Sequence, residues 1–359
     1  MKAAVLYEAK KPLVVEDVEI GEPKRGEVLV KVAAAGVCHS DLHFMEGSWP
    51  FPLPAILGHE GAGVVERVGE GVTLVQPGDH VILTWVAPCG LCRNCARGKP
   101  YLCTSSPAAS MRDGTSRLKK GEQSIFHFLG VSSFAQYLVA HETALVKVRE
   151  DAPLEKVALV GCGVMTGVGA VVNTAKVGMG SSVAVFGCGG VGLNVIQGAN
   201  LAGATTIIAV DKFDNKLEIA RALGATHVVN ASNEDPVAKV REITGAGADY
   251  TFEVIGVPEV VAQAFEAAGP GGTAVMVGMP PIGAPLTINS LGLFQGKTLQ
   301  GAYYGSARVR VDMPALVDLY MAGKLKLDEL ITRTYPLDGI NDAFEAMKKG
   351  EVARSIIRF

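Results

Sequence analysis

Long apolar runs are missing from this chain of 359 residues, and so is a surplus of charge of either sign. The longest uncharged apolar stretch, residues 158–172, is glycine-rich and falls short of the roughly 18 residues that span a bilayer, so no membrane segment is expected. With 33 basic and 36 acidic residues the net charge is -3 and the pI is near 6.2, which gives no general attraction to nucleic acid or anionic lipid. The opening Met1-Lys2-Ala3-Ala4-Val5-Leu6-Tyr7-Glu8 has no sustained apolar core of the kind a secretory leader needs, and a cytoplasmic protein is the expectation. Cysteine is scarce and odd in number: there are seven, four of them crowded between positions 89 and 103. In a chain expected to stay in a reducing compartment, that crowding points to metal rather than disulfides. Internal repeats and low-complexity segments are absent as well.

What is present is glycine (43 residues) and a 48% share of hydrophobic residues, in a length that suggests about two domains. Up to about residue 150, short β-branched runs such as residues 28–32, 63–68 and 80–83 are separated by Gly/Pro turns, a pattern of a β-rich, partly barrel-like lobe. Residues 89–128 break it and read as a loop-rich excursion held by something other than a hydrophobic core. From about residue 181, apolar runs at 182–186, 206–210, 227–229, 250–254 and 273–277 alternate with segments of helical length such as 216–224. That alternation predicts a parallel sheet covered on both faces. A helix is expected over residues 314–327, and the residues after about 330 are expected to rejoin the first lobe.

Three constellations carry chemistry. Cys89-x2-Cys92-x2-Cys95-x7-Cys103 places four thiolates on a short loop, enough for a closed, structural tetrahedral zinc, with an iron–sulfur cluster as the competing reading. Cys38, His59 and Cys162 form a dispersed set; two cysteines and one histidine leave a fourth position for water or substrate, the pattern of a catalytic zinc, although a buried lone cysteine or histidine is commoner than a ligand. Gly187-Cys-Gly-Gly-Val-Gly192 follows a strand and opens a helix, the context in which a pyrophosphate sits on a helix N-terminus. Asp211 lies 19 residues after Gly192, where an acid that binds the ribose belongs, so NAD is favoured over NADP, with Lys212 weakening the preference slightly. The candidate phosphate contacts are Gly187, Gly189, Gly190 and Gly192.

Taken in order, the Gly58-His-Glu box, the Cys38-His-Ser-Asp box, the four-cysteine loop and the glycine turn resemble the zinc-containing medium-chain alcohol dehydrogenases over essentially the whole chain. Gly161-Cys-Gly-Val-Met-Thr-Gly167 and Asp113-Gly-Thr-Ser-Arg117 look like the branch that includes animal, plant and formaldehyde-oxidising members. The resemblance implies a β-rich GroES-like catalytic domain (residues 1–163 and 304–359) and a doubly wound Rossmann cofactor domain (residues 164–303). It implies two zinc ions per chain: one on Cys38, His59 and Cys162 with Glu60 as an exchangeable neighbour, one on Cys89, Cys92, Cys95 and Cys103. Asp41 would orient the His59 imidazole. Zinc lowers the pKa of a bound hydroxyl, the resulting alkoxide gives hydride to the nicotinamide, and Ser40 and His43 relay the proton outward. Thr166 and Val191 would pack behind the nicotinamide, Lys216 would sit near the adenosine ribose, and Arg354 at the pyrophosphate. His39 stands where many members carry arginine.

The resemblance implies that Trp49, Trp85 and Met279 lie along the substrate channel with Tyr303 near its inner part, an apolar and aromatic wall suited to benzylic or medium-chain primary alcohols. Residues 104–112 carry little charge for the carboxylate of a thiol adduct; Arg112 alone supports a thiol-dependent formaldehyde dehydrogenase. A zinc-free quinone or enoyl reductase would lack Cys38, His59 and the cysteine loop, and a non-catalytic zinc protein would need neither Asp211 nor the phosphate turn. His80, His127, His141 and His227 read as structural or surface residues. The retained length of residues 113–130 implies a homodimer, with residues 298–304 able to pair across a two-fold axis.

Overall fold

Val28, Val30 and Val32 alternate along one face of Glu27–Val37, the longest strand in a computed structural model that describes residues 1–359. Their β-branched side chains meet Val65, Val81, Leu83 and Leu138 from neighbouring strands in one core, which is what a period of two on a pleated strand demands. Across this mixed sheet the order is Leu145–Lys147, His80–Leu83, Glu60–Val68, Glu27–Val37, Arg354–Arg358, Ile331–Pro336, with Tyr137–His141 also paired to Glu27–Val37. A second, smaller sheet begins with Lys2–Leu6 and closes over a core containing Phe128, Phe134 and Phe344. Together these elements make one compact unit, Met1–Cys162 with Arg308–Phe359.

The other unit is Gly163–Ala307. Its return point falls after Ala307 rather than at residue 304, because the turn Tyr304–Ser306 packs backbone to backbone inside this unit: a Cβ on Gly305 would lie 2.5 Å from the carbonyl oxygen of Met165. Six parallel strands follow the chain as Ser182–Phe186, Thr206–Asp211, His227–Asn230, Ala248–Glu253, Ala268–Met276 and Thr298–Gly301. In the sheet they stand in the order third, second, first, fourth, fifth, sixth. The core residues Ala184, Phe186, Ile208, Val210 and Val229 are packed by helices, as continuous apolar strands require. This is a doubly wound fold, and its strand order reverses between the first and fourth strands, where such sheets bind ligands.

One expectation is corrected. The helix expected over 314–327 is Val309–Met321, with Pro314 inside it. Asp312 accepts from the Arg308 amide at 2.7 Å and starts the helix early, and Gly323, at a φ of 68°, follows its end. The excursion over 89–128 is loop-rich as expected and carries one short hairpin, Leu118–Lys120 with Gln123–His127. It is pinned by charge: Arg117, 6% exposed, reaches both oxygens of buried Glu27 at 2.5 and 2.8 Å and Asp113 at 2.8 Å. No single helix is long and apolar enough to cross a membrane.

Candidate active site and metal centres

Strand pairing builds the first donor set. Gly36 faces Glu60 in antiparallel register, so the residues just past one strand end and just before the other, Cys38 and His59, come together. Gly58 makes the bend before His59 at a φ of 89°, where a Cβ would lie 2.6 Å from Ser133 Oγ and 2.7 Å from the Phe134 amide. Cys162 arrives from the end of the short helix Ala158–Gly161. The donor atoms of Cys38, His59, Glu60 and Cys162 all lie within 4.8 Å of one another and all four residues are buried. Two thiols, an imidazole and a carboxylate at that spacing fit zinc.

The surroundings prepare these donors. Asp41, fully buried, places Oδ1 3.1 Å from His59 Nδ1 and 3.1 Å from the Gly58 amide, fixing the ring and directing its other nitrogen to the thiols. A hydrogen bond with Cys162 holds the Cys38 thiol well below the usual thiol range against the cost of burial. Burial also opposes charge on His59, but the Asp41 carboxylate and the Cys38 thiolate outweigh it and hold the imidazole well above its ordinary pKa. Glu60 is ion-paired to Arg354, itself 5% exposed, so Arg354 competes with a metal for this carboxylate. Ser40 and His43 share the helix His39–Met45, three residues apart and both half-buried, while His39 is exposed.

Aromatic rings line this set. Trp85 stands edge-on to His59 with centroids 6.5 Å apart, and Phe128 does so at 5.8 Å. Phe44 and Phe51 pack on Phe128 at 4.8 and 5.3 Å, and Trp49 on Phe44 at 6.3 Å. Sequence reasoning picked out Trp49 and Trp85 but missed Phe44, Phe51 and Phe128. Phe44 and Phe51 flank Trp49 closely enough to have been noticed, whereas Phe128 is 69 positions from His59 and leaves no local signal.

The second donor set is Cys89, Cys92, Cys95 and Cys103, again with sulfur atoms within 4.8 Å of one another. Here the backbone does the preparing. Cys89 Sγ accepts from the amides of Cys92 at 3.2 Å and Leu91 at 3.4 Å, and Cys103 Sγ from that of Cys89 at 3.3 Å. The amides of Cys95 and Thr104 draw the Cys92 thiol down to about 5. Four thiolates with no other donor fit a closed zinc site.

In the other unit, Gly187 carries the chain from the first strand into the helix Gly190–Leu201 at a φ of 102°. A Cβ on Gly192 would lie 1.8 Å from the Gly187 carbonyl, whereas nothing stands within 4 Å of one on Gly189, so the turn is tight on its inner side and open at Gly189. No side chain caps this helix, which leaves its first amides for an anion. Asp211 is tied to the turn: Oδ2 accepts from the Cys188 amide at 2.8 Å, Oδ1 from those of Lys212 and Phe213 at 2.8 and 3.1 Å. The Lys216 ammonium stands 5.0 Å over the Phe213 ring. Thr166 and Val191 belong to adjoining helices, since a Cβ on Gly167 would meet the Val191 carbonyl at 2.5 Å. Met279 and Tyr303 are in this unit, whereas Trp49, Trp85, His39 and Arg354 are in the first.

Residues 24–150 match the alcohol dehydrogenase GroES-like domain and residues 190–322 the zinc-binding dehydrogenase family. The chain is 45% identical to a class-3 alcohol dehydrogenase of Dictyostelium discoideum, over 99% of its own length and 97% of that protein. It is also 45% identical to an S-(hydroxymethyl)glutathione dehydrogenase of Paracoccus denitrificans, over 100% of its length and 99% of the relative. The crystal structure of benzyl alcohol dehydrogenase from Acinetobacter calcoaceticus superposes with a TM-score of 0.95 at 38% identity, covering 100% of this chain and 99% of that one.

Proposed function

This chain belongs to the zinc-containing medium-chain alcohol dehydrogenase family, oxidoreductases of zinc and a nicotinamide cofactor, and on that premise we propose that it oxidises aromatic or medium-chain primary alcohols to aldehydes with NAD and runs the reverse reduction. The buried set of Cys38, His59 and Cys162, with Asp41 behind the imidazole, carries the reading. When bound there, zinc supplies Lewis acidity toward the substrate hydroxyl, and the nicotinamide supplies the hydride acceptor. The chain does the rest. Asp41 keeps His59 in the tautomer that offers a lone pair to metal. Ser40 would accept the hydroxyl proton as it gives up its own, and His43, one helical turn on, would pass a proton to water. Glu60 would be available to the metal only when Arg354 released it, so the ion pair would set its reach.

The cofactor reading rests on the open turn at Gly189 and the uncapped helix behind it. Gly187, Gly189, Gly190 and Gly192 admit the pyrophosphate, Asp211 accepts from the ribose hydroxyls and repels a 2′-phosphate, and Lys216 lies beside them. Thr166 and Val191 back the nicotinamide. Arg354 spends one nitrogen on Glu60 and keeps its remaining donors for other acceptors. The apolar wall of Trp49, Trp85 and Phe128 around His59 selects an aromatic or alkyl substrate.

The relatives' names favour a second reading, a thiol adduct of formaldehyde as substrate. Against it stands Arg112, the one cation of residues 104–112, whose guanidinium is bound to the Ala87 carbonyl at 2.9 Å and the Thr143 hydroxyl at 2.8 Å. A homodimer is part of the proposal: the edge strand Thr298–Gly301 pairs on one side only, and Leu291, Leu293 and Phe294 beside it are 56%, 49% and 89% exposed. A reducing, cytoplasmic setting fits seven free cysteines. Zinc content and NADH absorbance test the whole: two zincs per chain and NADH formation from benzyl alcohol are expected. Two zincs with turnover of S-(hydroxymethyl)glutathione alone would establish the second reading, and two zincs with no turnover of either would leave a non-catalytic protein.

A further inference from the structure

Glu253 is a carboxylate that none of the chemistry above uses, yet it is fully buried. It ends the fourth strand of the parallel sheet in register with Phe186 at the end of the first, the pair of strands between which the order reverses. Its Oε1 accepts from three successive amides, Ile255 at 2.8 Å, Gly256 at 2.6 Å and Val257 at 3.4 Å. Oε2 has no partner. Burial pushes the carboxyl up and the amides pull it down. Starting the helix Pro258–Ala267 does not require such a group, because a serine or asparagine at the cap would serve without burying a carboxylate.

The amides it holds belong to a loop with two neighbours. A Cβ on Gly187 would meet Ile255 Cγ1 at 2.6 Å, so the Ile255 side chain lies directly against the phosphate turn. On the other side, a Cβ on Gly256 would meet the Met279 carbonyl oxygen at 2.3 Å, and the Glu253 carbonyl itself accepts from the amides of Val277 and Gly278 at 2.8 and 3.1 Å. Ile255 is nevertheless 50% exposed. An aliphatic side chain held rigidly against the turn, with half its surface open, is placed for a ligand rather than for the core.

We propose that Glu253 is a positioning residue for the dinucleotide: through the amides of 255–257 it fixes Ile255 beside Gly187 as an apolar platform on which the cofactor rests. The inference rests on the reading of Gly187 to Gly192 as the cofactor turn. It predicts that the acceptor oxygen matters and the charge does not, because Oε2 bonds to nothing and glutamine keeps a carbonyl for the three amides.

NADH titration of the zinc-loaded protein, read by fluorescence and by calorimetry, tests this in wild type, Glu253→Gln, Glu253→Met and Ile255→Ala. Glu253→Gln should bind within about threefold of wild type, and Glu253→Met about tenfold more weakly, the scale of lost charge-assisted bonds. In Glu253→Met the KM for NAD should rise with kcat nearly unchanged, and hydrogen exchange should quicken at the 255–257 amides. Ile255→Ala should reproduce the affinity loss with those amides still protected, which keeps the test usable if Glu253→Met does not fold. Wild-type affinity in Glu253→Met or in Ile255→Ala overturns the inference, as does weak binding in Glu253→Gln. Failure of wild type itself to bind NADH would instead overturn the cofactor-turn reading.

Discussion

The two donor sets solve the same coordination problem by opposite means. Between Cys89 and Cys103 the thiols are half-buried, close in sequence, and prepared by backbone amides of their own loop. Around His59 the donors come from three distant segments, all are buried, and side chains prepare them: Asp41 on the imidazole and Arg354 on Glu60. A set that depends only on its own loop can hold that loop but has no fold-wide geometry to offer a substrate. A set assembled by strand register is only as good as the fold that assembles it, and it can keep an exchangeable position. In the function proposed above, the first kind serves stability and the second chemistry.

The largest effect that would break this contrast comes from His59→Ala. Turnover should fall to background while metal analysis still finds the cysteine-loop zinc and the melting temperature moves little; substantial residual turnover would mean the dispersed set is not where alcohol reacts. Cys95→Ser should do the reverse, leaving about one zinc per chain and lowering the melting temperature by several degrees, because metal binding at such a site is folding energy. Full thermal stability with that zinc gone would erase the distinction. Asp41→Asn sharpens it, since outer partners of a metal-bound imidazole contribute roughly 10- to 100-fold in activity or metal affinity, whereas the cysteine loop is prepared chiefly by backbone amides that no side-chain truncation removes. Zinc titration and benzyl alcohol kinetics on the same preparation would show whether the loss is in affinity or in rate.

The smallest effect concerns His127, which joins the two regions: its Nε2 accepts from the Arg117 amide at 3.0 Å, and the next residue, Phe128, faces His59. Burial, and then the Arg117 charge, push its imidazole from an ordinary 6.5 down to about 3. Above pH 6.5 it is neutral whether the chain is folded or not and contributes nothing to pH dependence. Between 6.5 and about 3 only the unfolded chain takes up the proton, so stability is lost as pH falls, by at most a few kcal/mol. In His127→Gln, whose amide oxygen can accept from Arg117, the melting temperature should decline less between pH 6.5 and 4. An unchanged acid slope would show that other groups set it.

What could be read from the sequence follows the same division. Four cysteines within one short segment, a glycine turn after an apolar strand and Asp211 at the end of the next strand are local patterns, and each came out where expected. Interactions across long stretches of sequence left no such trace. Arg117 and Glu27 are 90 positions apart and look like ordinary surface charges until strand pairing buries them together. Glu253 reads as the polar end of a strand, because nothing in its neighbours announces that three following amides turn back on it. Arg354 is the intermediate case: the resemblance gave it a cofactor role, but only the register of Arg354–Arg358 against Glu27–Val37 reveals its hold on Glu60.

The clamp formed by Arg117 on Glu27 also bears on which part of this chain can vary. Residues 104–112 run between two fixed points, the cysteine loop behind them and that ion pair ahead. A segment whose ends are already anchored has little closure entropy left to lose, so the few contacts it makes itself, from Ser106, Met111 and Arg112, suffice to set its path. Substitutions at exposed Thr104 or Ala108 should leave folding nearly untouched, whereas changes at Met111, which is packed in the core, should not.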